Sequence, residues 1–368
     1  MRIAYLIHSL HISGGMEKVL SVKANWFAAR EGYEIYIITS HLRGRKPFFP
    51  LDERVHLVDA AVPDDFLHAR KYRRRLEEIL SEVNPDITVS LSGAEVFQLK
   101  KCHNGGVKVA EYHFLHDKFY RKYNFRPYAF LRTGALTRAF LGYEALVVLS
   151  SYDKDYYSRV LPHQEKIYRI PNFTDCASAE PSDLSEKRFV AVGRLKAEKN
   201  FADAVNIWEK VALKHPDWHL DIYGEGREKE NLQKLILAKG LEGKVVLKGG
   251  SKTIGKEYAV SSGILITSRY EGFCLAAVEA MSCGLPVVAY DCPGGMPELL
   301  SKGEYSFIVA QGDAEAAAES ICRLIEDKEL RSKMGRNAFA AAREYAPDAV
   351  MAKWEELFKN LLNDNCLR

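Results

Sequence analysis

Several signals that would classify a chain at once are missing from these 368 residues. No apolar run approaches the roughly 20 residues needed to cross a bilayer. The N-terminus (Met1-Arg-Ile-Ala-Tyr-Leu-Ile-His8) is short and turns polar beyond Leu10, so it reads as a first strand rather than a secretory signal. Cysteine is scarce and badly spaced for a framework: seven residues, an odd number, with no C-x-x-C pair. A disulfide scaffold or structural zinc site is therefore not expected, and a reducing cytoplasm fits. The D-x-D, Asp153-Lys-Asp155, follows Ser150-Ser151 at a predicted helix start, where capping and the helix dipole account for acidic residues. No metal site is expected. Gly224-Glu-Gly226 lacks the third glycine of a dinucleotide fingerprint. Neither an internal repeat nor a nucleic-acid module is visible.

What is present is an ordinary globular composition, 47% hydrophobic and 27% charged, at a length that favours two domains. The net charge of +3 hides an asymmetry: residues 1–175 hold 26 Lys/Arg against 20 Asp/Glu, or +6, and residues 176–368 hold 26 against 29, or −3. The first half is thus the side suited to anionic phosphates or an anionic membrane surface. Short apolar runs predict strands at 3–8, 34–39, 55–58, 87–91, 107–112, 145–149 and 167–170, with helices at 15–30, 72–82 and 151–160. A small, polar, proline-containing stretch at 174–187 predicts a linker. A second series follows, with strands at 188–192, 220–223, 244–247, 263–267, 287–290 and 306–309. Helices fall at 200–214, 228–239, 275–283 and 314–326, with a last one at 349–362. Alternation of this kind predicts two parallel sheets, each with helices on both faces, and a ligand cleft between domains at the carboxyl ends of strands.

The segment Glu271-Gly-Phe-Cys-Leu-Ala-Ala-Val-Glu279 carries the most chemistry. A buried strand precedes it, and Gly284 with Pro286 predicts where the helix beginning at Leu275 stops. Gly272 ahead of that helix leaves backbone N–H groups and a partial positive charge for a phosphate. Glu271 and Glu279 on either side can accept hydrogen bonds from neutral hydroxyls. That arrangement suits an anionic diphosphate between ribose and hexose. Upstream, Gly193 permits a turn, and Arg194 and Lys199 place two cations beside a new helix. A guanidinium can grip phosphate oxygens in pairs while an ammonium acts as a point charge.

Taken in order, Gly193-Arg194, Lys199, Thr267-Ser268, Glu271-Gly272-Phe273, Glu279-Ala280-Met281 and Gly284-Leu-Pro-Val-Val288 resemble the donor site of the retaining GT-B glycosyltransferases of family four, glycosyl transferases group 1. The resemblance implies an α/β fold of GT-B architecture, two Rossmann-like domains facing a central cleft. Their expected bounds are 1–173 and 188–348, joined by the 174–187 linker, with 349–368 crossing back to the first domain. It implies that Arg194 and Lys199 bind the diphosphate, that Gly224, Gly226 and Gly250 line the nucleotide pocket, and that Glu279 holds the ribose. Glu271 would bind hexose hydroxyls with the main-chain N–H groups of Phe273, Cys274 and Leu275. In the first domain Gly14 and Gly15 match the family's glycine-rich loop, followed by Glu17. His113 matches the histidine near the reacting sugar, with His116 as a rival. The family often has Gly or Pro where Cys274 stands, and that thiol reads most simply as a packing residue.

The implied function is metal-independent, retaining transfer of a hexose or N-acetylhexosamine. The donor would be a nucleoside diphosphate-sugar, expected to be a UDP-sugar, and the acceptor a hydroxyl of a glycan or lipid-linked saccharide, as in surface polysaccharide assembly. No cofactor is expected. An epimerase or phosphorylase of the same fold would use many of the same groups; a non-catalytic nucleotide-sugar or nucleic-acid binder is a further alternative. Residues 118–142 stand apart, with six basic residues, no acidic one, and seven interleaved Phe and Tyr. The His68–Arg75 stretch adds further basic charge. Either a helix buries those rings in the first domain, or the segment settles into a lipid interface on the inner face of a membrane.

Overall fold

The computed structural model describes residues 1–368 except 64, 66, 92, 94, 124, 177–179, 301–303 and 367–368. Its strands are β1 (Arg2–Ile7), β2 (Glu34–Thr39), β3 (Val55–Asp59), β4 (Ile87–Ser90), β5 (Val107–Tyr112), β6 (Ala145–Val148), β7 (Ile167–Arg169), β8 (Arg188–Val192), β9 (His219–Tyr223), β10 (Val245–Gly249), β11 (Gly263–Ile266), β12 (Val287–Tyr290) and β13 (Ser306–Val309). The first helices are α1 (Gly15–Ala28), α2 (Ala69–Val83), α3 (Glu95–Leu99), α4 (Lys118–Lys122), α5 (Arg126–Phe140) and α6 (Ser151–Val160). Then come α7 (Phe201–Lys214), α8 (Lys229–Ala238), α9 (Ile254–Ala259), α10 (Leu275–Met281), α11 (Met296–Leu300), α12 (Ala314–Glu326), α13 (Lys328–Ala342) and α14 (Pro347–Cys366).

The chain forms two compact units: Met1–Asn172 with Pro347–Arg368, and Phe173–Ala346. In the first unit the sheet runs β3-β2-β1-β4-β5-β6-β7, and in the second β10-β9-β8-β11-β12-β13. The described pairings are parallel throughout. Parallel sheets need both faces covered, so their central strands are apolar on both sides. β8 shows this: Phe189 and Ala191 enter one core while Val190 between them enters another. Each sheet reverses its winding once, between β1 and β4 and between β8 and β11. Ligands of doubly wound sheets bind outside the carboxyl ends of strands at such points.

Local sequence chemistry sets the helix ends. Ser150 accepts from the Asp153 N–H to cap α6, and Asp313 and Asp327 cap α12 and α13 in the same way. Gly284, at φ 77°, closes α10: its N–H reaches the Met281 carbonyl and that of Leu285 reaches Ala280. The stretch read from composition alone contains α4 and α5, with Pro127 in the first turn of α5. The polar stretch 174–187 packs onto the second unit where it is described. The Ser182 N–H donates to the Cys283 carbonyl, its hydroxyl to that of Ser261, and Leu184 is buried.

Candidate active site

In the second unit the β8–β11 reversal gathers the loops named from sequence. Arg194 leaves the end of β8 and Glu271 follows β11, its hydrogen-bonded neighbour. The loops are stitched by backbone: Gly193 N–H to Tyr223 carbonyl at 3.0 Å, Leu195 N–H to Glu225 carbonyl at 2.9 Å, and Gly224 N–H to Gly249 carbonyl at 2.8 Å. These contacts explain two glycines. A Cβ at Gly224 would lie 1.8 Å from the Gly193 carbonyl oxygen, and one at Gly226 2.3 Å from that of Leu195. Both glycines let one loop lie directly against another. Gly250 continues from β10 beside the Glu225 side chain.

Lys199 and Glu271, 72 positions apart, meet here. The Lys199 Nζ lies 2.5 Å from Glu271 Oε1, and the Ser268 hydroxyl donates to the same oxygen at 2.7 Å. Their side chains are 20% and 11% exposed, a largely dry setting in which an unpaired charge is costly. Burial works against the Lys199 charge, but Glu271 outweighs it and raises that pKa; Arg194 is near enough to push the other way. The backbone fixes the pair. Thr267 Oγ1 donates to the Lys199 carbonyl at 3.0 Å, and the Arg269 N–H to that of Glu198 at 2.8 Å. Glu271 is itself clamped, its N–H on the Pro293 carbonyl at 3.1 Å and its carbonyl accepting from Gly295 at 3.0 Å. The Gly-rich turn at 291–295 therefore holds Glu271 in place.

The rest of the motif lies in the core or at its edge. Gly272 bends the chain into α10, and the Phe273 ring meets Tyr345 at 5.8 Å. Cys274 is 2% exposed, and burial followed by the Glu271 charge pushes its thiol far up, so it stays protonated and packs. The Leu275 N–H, named as a sugar contact, donates to the Phe273 carbonyl at 3.1 Å. That donor lies in a tight turn at the start of α10. Glu279 is 7% exposed, and the buried Tyr258 hydroxyl donates to its Oε2 at 3.3 Å.

In the first unit, the Glu17 carboxylate folds back over the start of α1. A Cβ at Gly14 would lie 1.9 Å from its Oε2. The helix end with Gly14 and Gly15, matched to the family's glycine-rich loop, thus carries its own carboxylate. His113 follows β5 with its Nε2 3.1 Å from Glu111 Oε1. Lys23 of α1 donates to both Glu111 oxygens, at 2.6 and 2.8 Å, and its ammonium sits 3.7 Å from the Trp354 ring of α14. Burial raises the Glu111 pKa, but Lys23 and His113 more than offset this and hold it at about 2. His116 turns to another carboxylate: its Nδ1 lies 2.9 Å from Asp153, and its ring stacks on Tyr156. Asp153 thus serves both the start of α6 and His116.

Sequence reading named neither Lys23 nor Glu111 as a site group, and it quoted Ser268 in the donor motif without giving it a role. Lys23 was detectable: it falls four residues after Val19 and four before Phe27, both buried, so it lies on the apolar stripe of α1. For Ser268 the motif gave the position, and the structure gives its contact with Glu271.

Among known proteins, residues 175–341 match the family model for glycosyl transferases group 1 and residues 13–178 that for glycosyltransferase family 4. An uncharacterized glycosyltransferase of Haemophilus influenzae is 27% identical over 360 residues, covering 96% of this chain and 99% of its own. The amylovoran biosynthesis glycosyltransferase AmsD of Erwinia amylovora is 29% identical over 221 residues, 58% of this chain and 62% of that protein. Anabaena Alr3699/HepE, solved in complex with UDP-glucose, superposes with a TM-score of 0.79 at 18% identity over 98% of this chain and 100% of its own, a likeness of fold. With its two parallel α/β sheets and the two family models together matching residues 13–341, the chain belongs to the GT-B glycosyltransferases of group 1.

Proposed function

We propose that this glycosyltransferase moves a hexose or N-acetylhexosamine from a UDP-sugar to a hydroxyl of a glycan or lipid-linked saccharide during surface polymer assembly, with retention at the anomeric carbon. The observation that carries this reading is the Lys199–Glu271–Ser268 cluster at the β8–β11 reversal, with Arg194 beside it. A diphosphate arriving at Arg194 competes with Glu271 for the Lys199 ammonium. Glu271, still held by Ser268 and by its backbone clamp, then accepts hydrogen bonds from hexose hydroxyls, while Glu279 takes the ribose. As the glycosidic bond breaks, positive charge grows on the sugar ring and negative charge on the leaving β-phosphate. Arg194 and Lys199 stabilise the latter without a metal, an electrostatic effect typically worth about 10²–10³ in rate per donor removed. His113, oriented by Glu111, positions the sugar. The leaving phosphate accepts the proton of the incoming hydroxyl on the same face, so no carboxylate serves as covalent nucleophile, unlike the paired plan of glycosidases. The UDP-glucose complex of the Anabaena relative and the polysaccharide role in the name of the Erwinia relative support the donor and polymer assignments.

The test is a donor panel with EDTA present. Thermal stabilisation by UDP-sugars over GDP- and ADP-sugars, and an α-linked product by NMR from an α-linked donor, are expected. Donor turnover to an isomerised nucleotide-sugar with no acceptor would instead identify an epimerase.

A further inference from the structure

Residues 118–142 divide sharply in the structure. Phe119 and Phe140 are buried and Tyr120 and Tyr123 pack partly against the same core, so half of the aromatic segment is ordinary interior. The other half faces outward. Phe125 and Phe130 are each 68% exposed, Leu131 67%, Leu141 53% and Tyr128 41%. α5 buries Ala129, Thr133, Leu136 and Ala139 on one side and on the other presents Pro127, Leu131 and Ala135 at helical spacing. A helix apolar on both sides belongs in an apolar environment on both sides. The charges among these outward residues carry one sign: Lys122, Arg126, Arg132 and Arg138 are exposed, and 118–142 holds no acidic residue.

The same surface is dented. A cavity of about 280 Å³ opens beside Phe130, Gly134 and Leu141 and runs to Val160 and Leu161 at the end of α6. Thr133, 7% exposed, lines it, and its Oγ1 is buried without a hydrogen-bond partner. A protein partner would ordinarily meet a surface of mixed charge with paired donors and acceptors. Large exposed apolar side chains interspersed with arginine, on a segment that holds no carboxylate of its own, match an anionic lipid surface, where rings and aliphatic groups enter the acyl boundary and guanidinium groups stay at the phosphates.

We propose that the outward face of α5, with Phe125 and Leu141 flanking it, docks the protein on an anionic phospholipid bilayer, with the cavity beside Phe130 receiving part of a lipid. This extends the acceptor reading above, because it brings the enzyme to the surface where a lipid-linked saccharide resides, yet it stands on the first unit alone.

The experiment is flotation of the full chain with vesicles of phosphatidylcholine alone or with 30% phosphatidylglycerol (about the anionic content used to mimic an acidic leaflet). Binding to the anionic vesicles, weakened roughly tenfold by raising salt, is expected. F130S/L131S and R126E/R132E should each lower partitioning at least about tenfold. L213S/L237S, which removes two exposed leucines of the second unit, should not. Circular dichroism melts verify folding, and stabilisation by UDP should be the same in all three variants. Wild-type protein that stays off anionic vesicles at low salt, or F130S/L131S partitioning like wild type, overturns the proposal. So does light scattering that shows a dimer broken by F130S/L131S, which makes the face a self-association surface. Failure of UDP to stabilise any form, with flotation intact, would instead overturn the donor reading.

Discussion

Replacing Lys23 by methionine keeps the length of the side chain and removes its charge. It takes from the Glu111 carboxylate, 1% exposed, the ammonium that donates to both its oxygens. Breaking a buried ion pair from one side costs about 3–5 kcal/mol, most of it the uncompensated charge. The lost ammonium–Trp354 contact at 3.7 Å adds to this. For a unit of about 190 residues each kcal/mol moves Tm by roughly 2–4 °C, so K23M should melt about 6–20 °C below wild type. The pH signature is distinct. Glu111 is held at about 2 in the folded wild type, below its unfolded value. It therefore contributes stability above the unfolded pKa that is lost as pH falls towards 2. In K23M the largest influence on Glu111 is burial, which raises its pKa, so the variant sheds that charge at a higher pH than wild type does. The Tm gap should narrow from pH 7 to pH 4. K23M/E111L, which removes both charges, should recover most of the loss, since apolar replacement of a whole buried pair is often neutral. Calorimetry with hydrogen exchange over α1 and β5 reads both effects. A K23M shift under about 2 °C, well short of the expected cost, or a double variant no more stable than K23M, would refute the reasoning.

E271Q should lower kcat/KM for hexose transfer at least about 10²-fold in protein that a melt shows to be folded, Ser268 still donating to the amide oxygen; near-normal turnover contradicts the assigned contact. G224A forces a Cβ against the Gly193 carbonyl oxygen at φ 150° and should cost about 1–3 kcal/mol or more, with weaker UDP binding; an unchanged melt would show that the two loops separate freely. Lys118 is held down to about 8, by burial first and then by Lys122 and Arg132. Between pH 8 and its unfolded value near 10.4 the unfolded chain binds more protons, so wild-type stability should rise relative to K118M over that window; parallel pH profiles would show Lys118 to be solvated.

Much of this protein was legible locally. The runs of β2, β5, β8, β12 and β13 declare their bounds to the residue, because short stretches rich in β-branched and aromatic residues stop at polar turns. Ser150, Asp313 and Gly284 mark helix ends through hydrogen bonds that reach only three to five residues. The cations at 194 and 199 and the glutamates at 271 and 279 announce a phosphate-and-hydroxyl chemistry by type and order. Short helices such as α3, α9 and α11 span barely a turn and show no period to read.

The amino-acid order alone determined the alternation of strands and helices, the caps, and which side chains bring charge to the loops. Tertiary structure decided which charges share a dry site: Lys199 with Glu271, Lys23 with Glu111, and His116 with Asp153 rather than with its sequence neighbour His113. It also divided the aromatics of 118–142 between core and surface. The reason is that β11 lies beside β8 only through crossovers that bury whole helices against the sheet. Such pairings follow from long-range packing, and no local pattern encodes them.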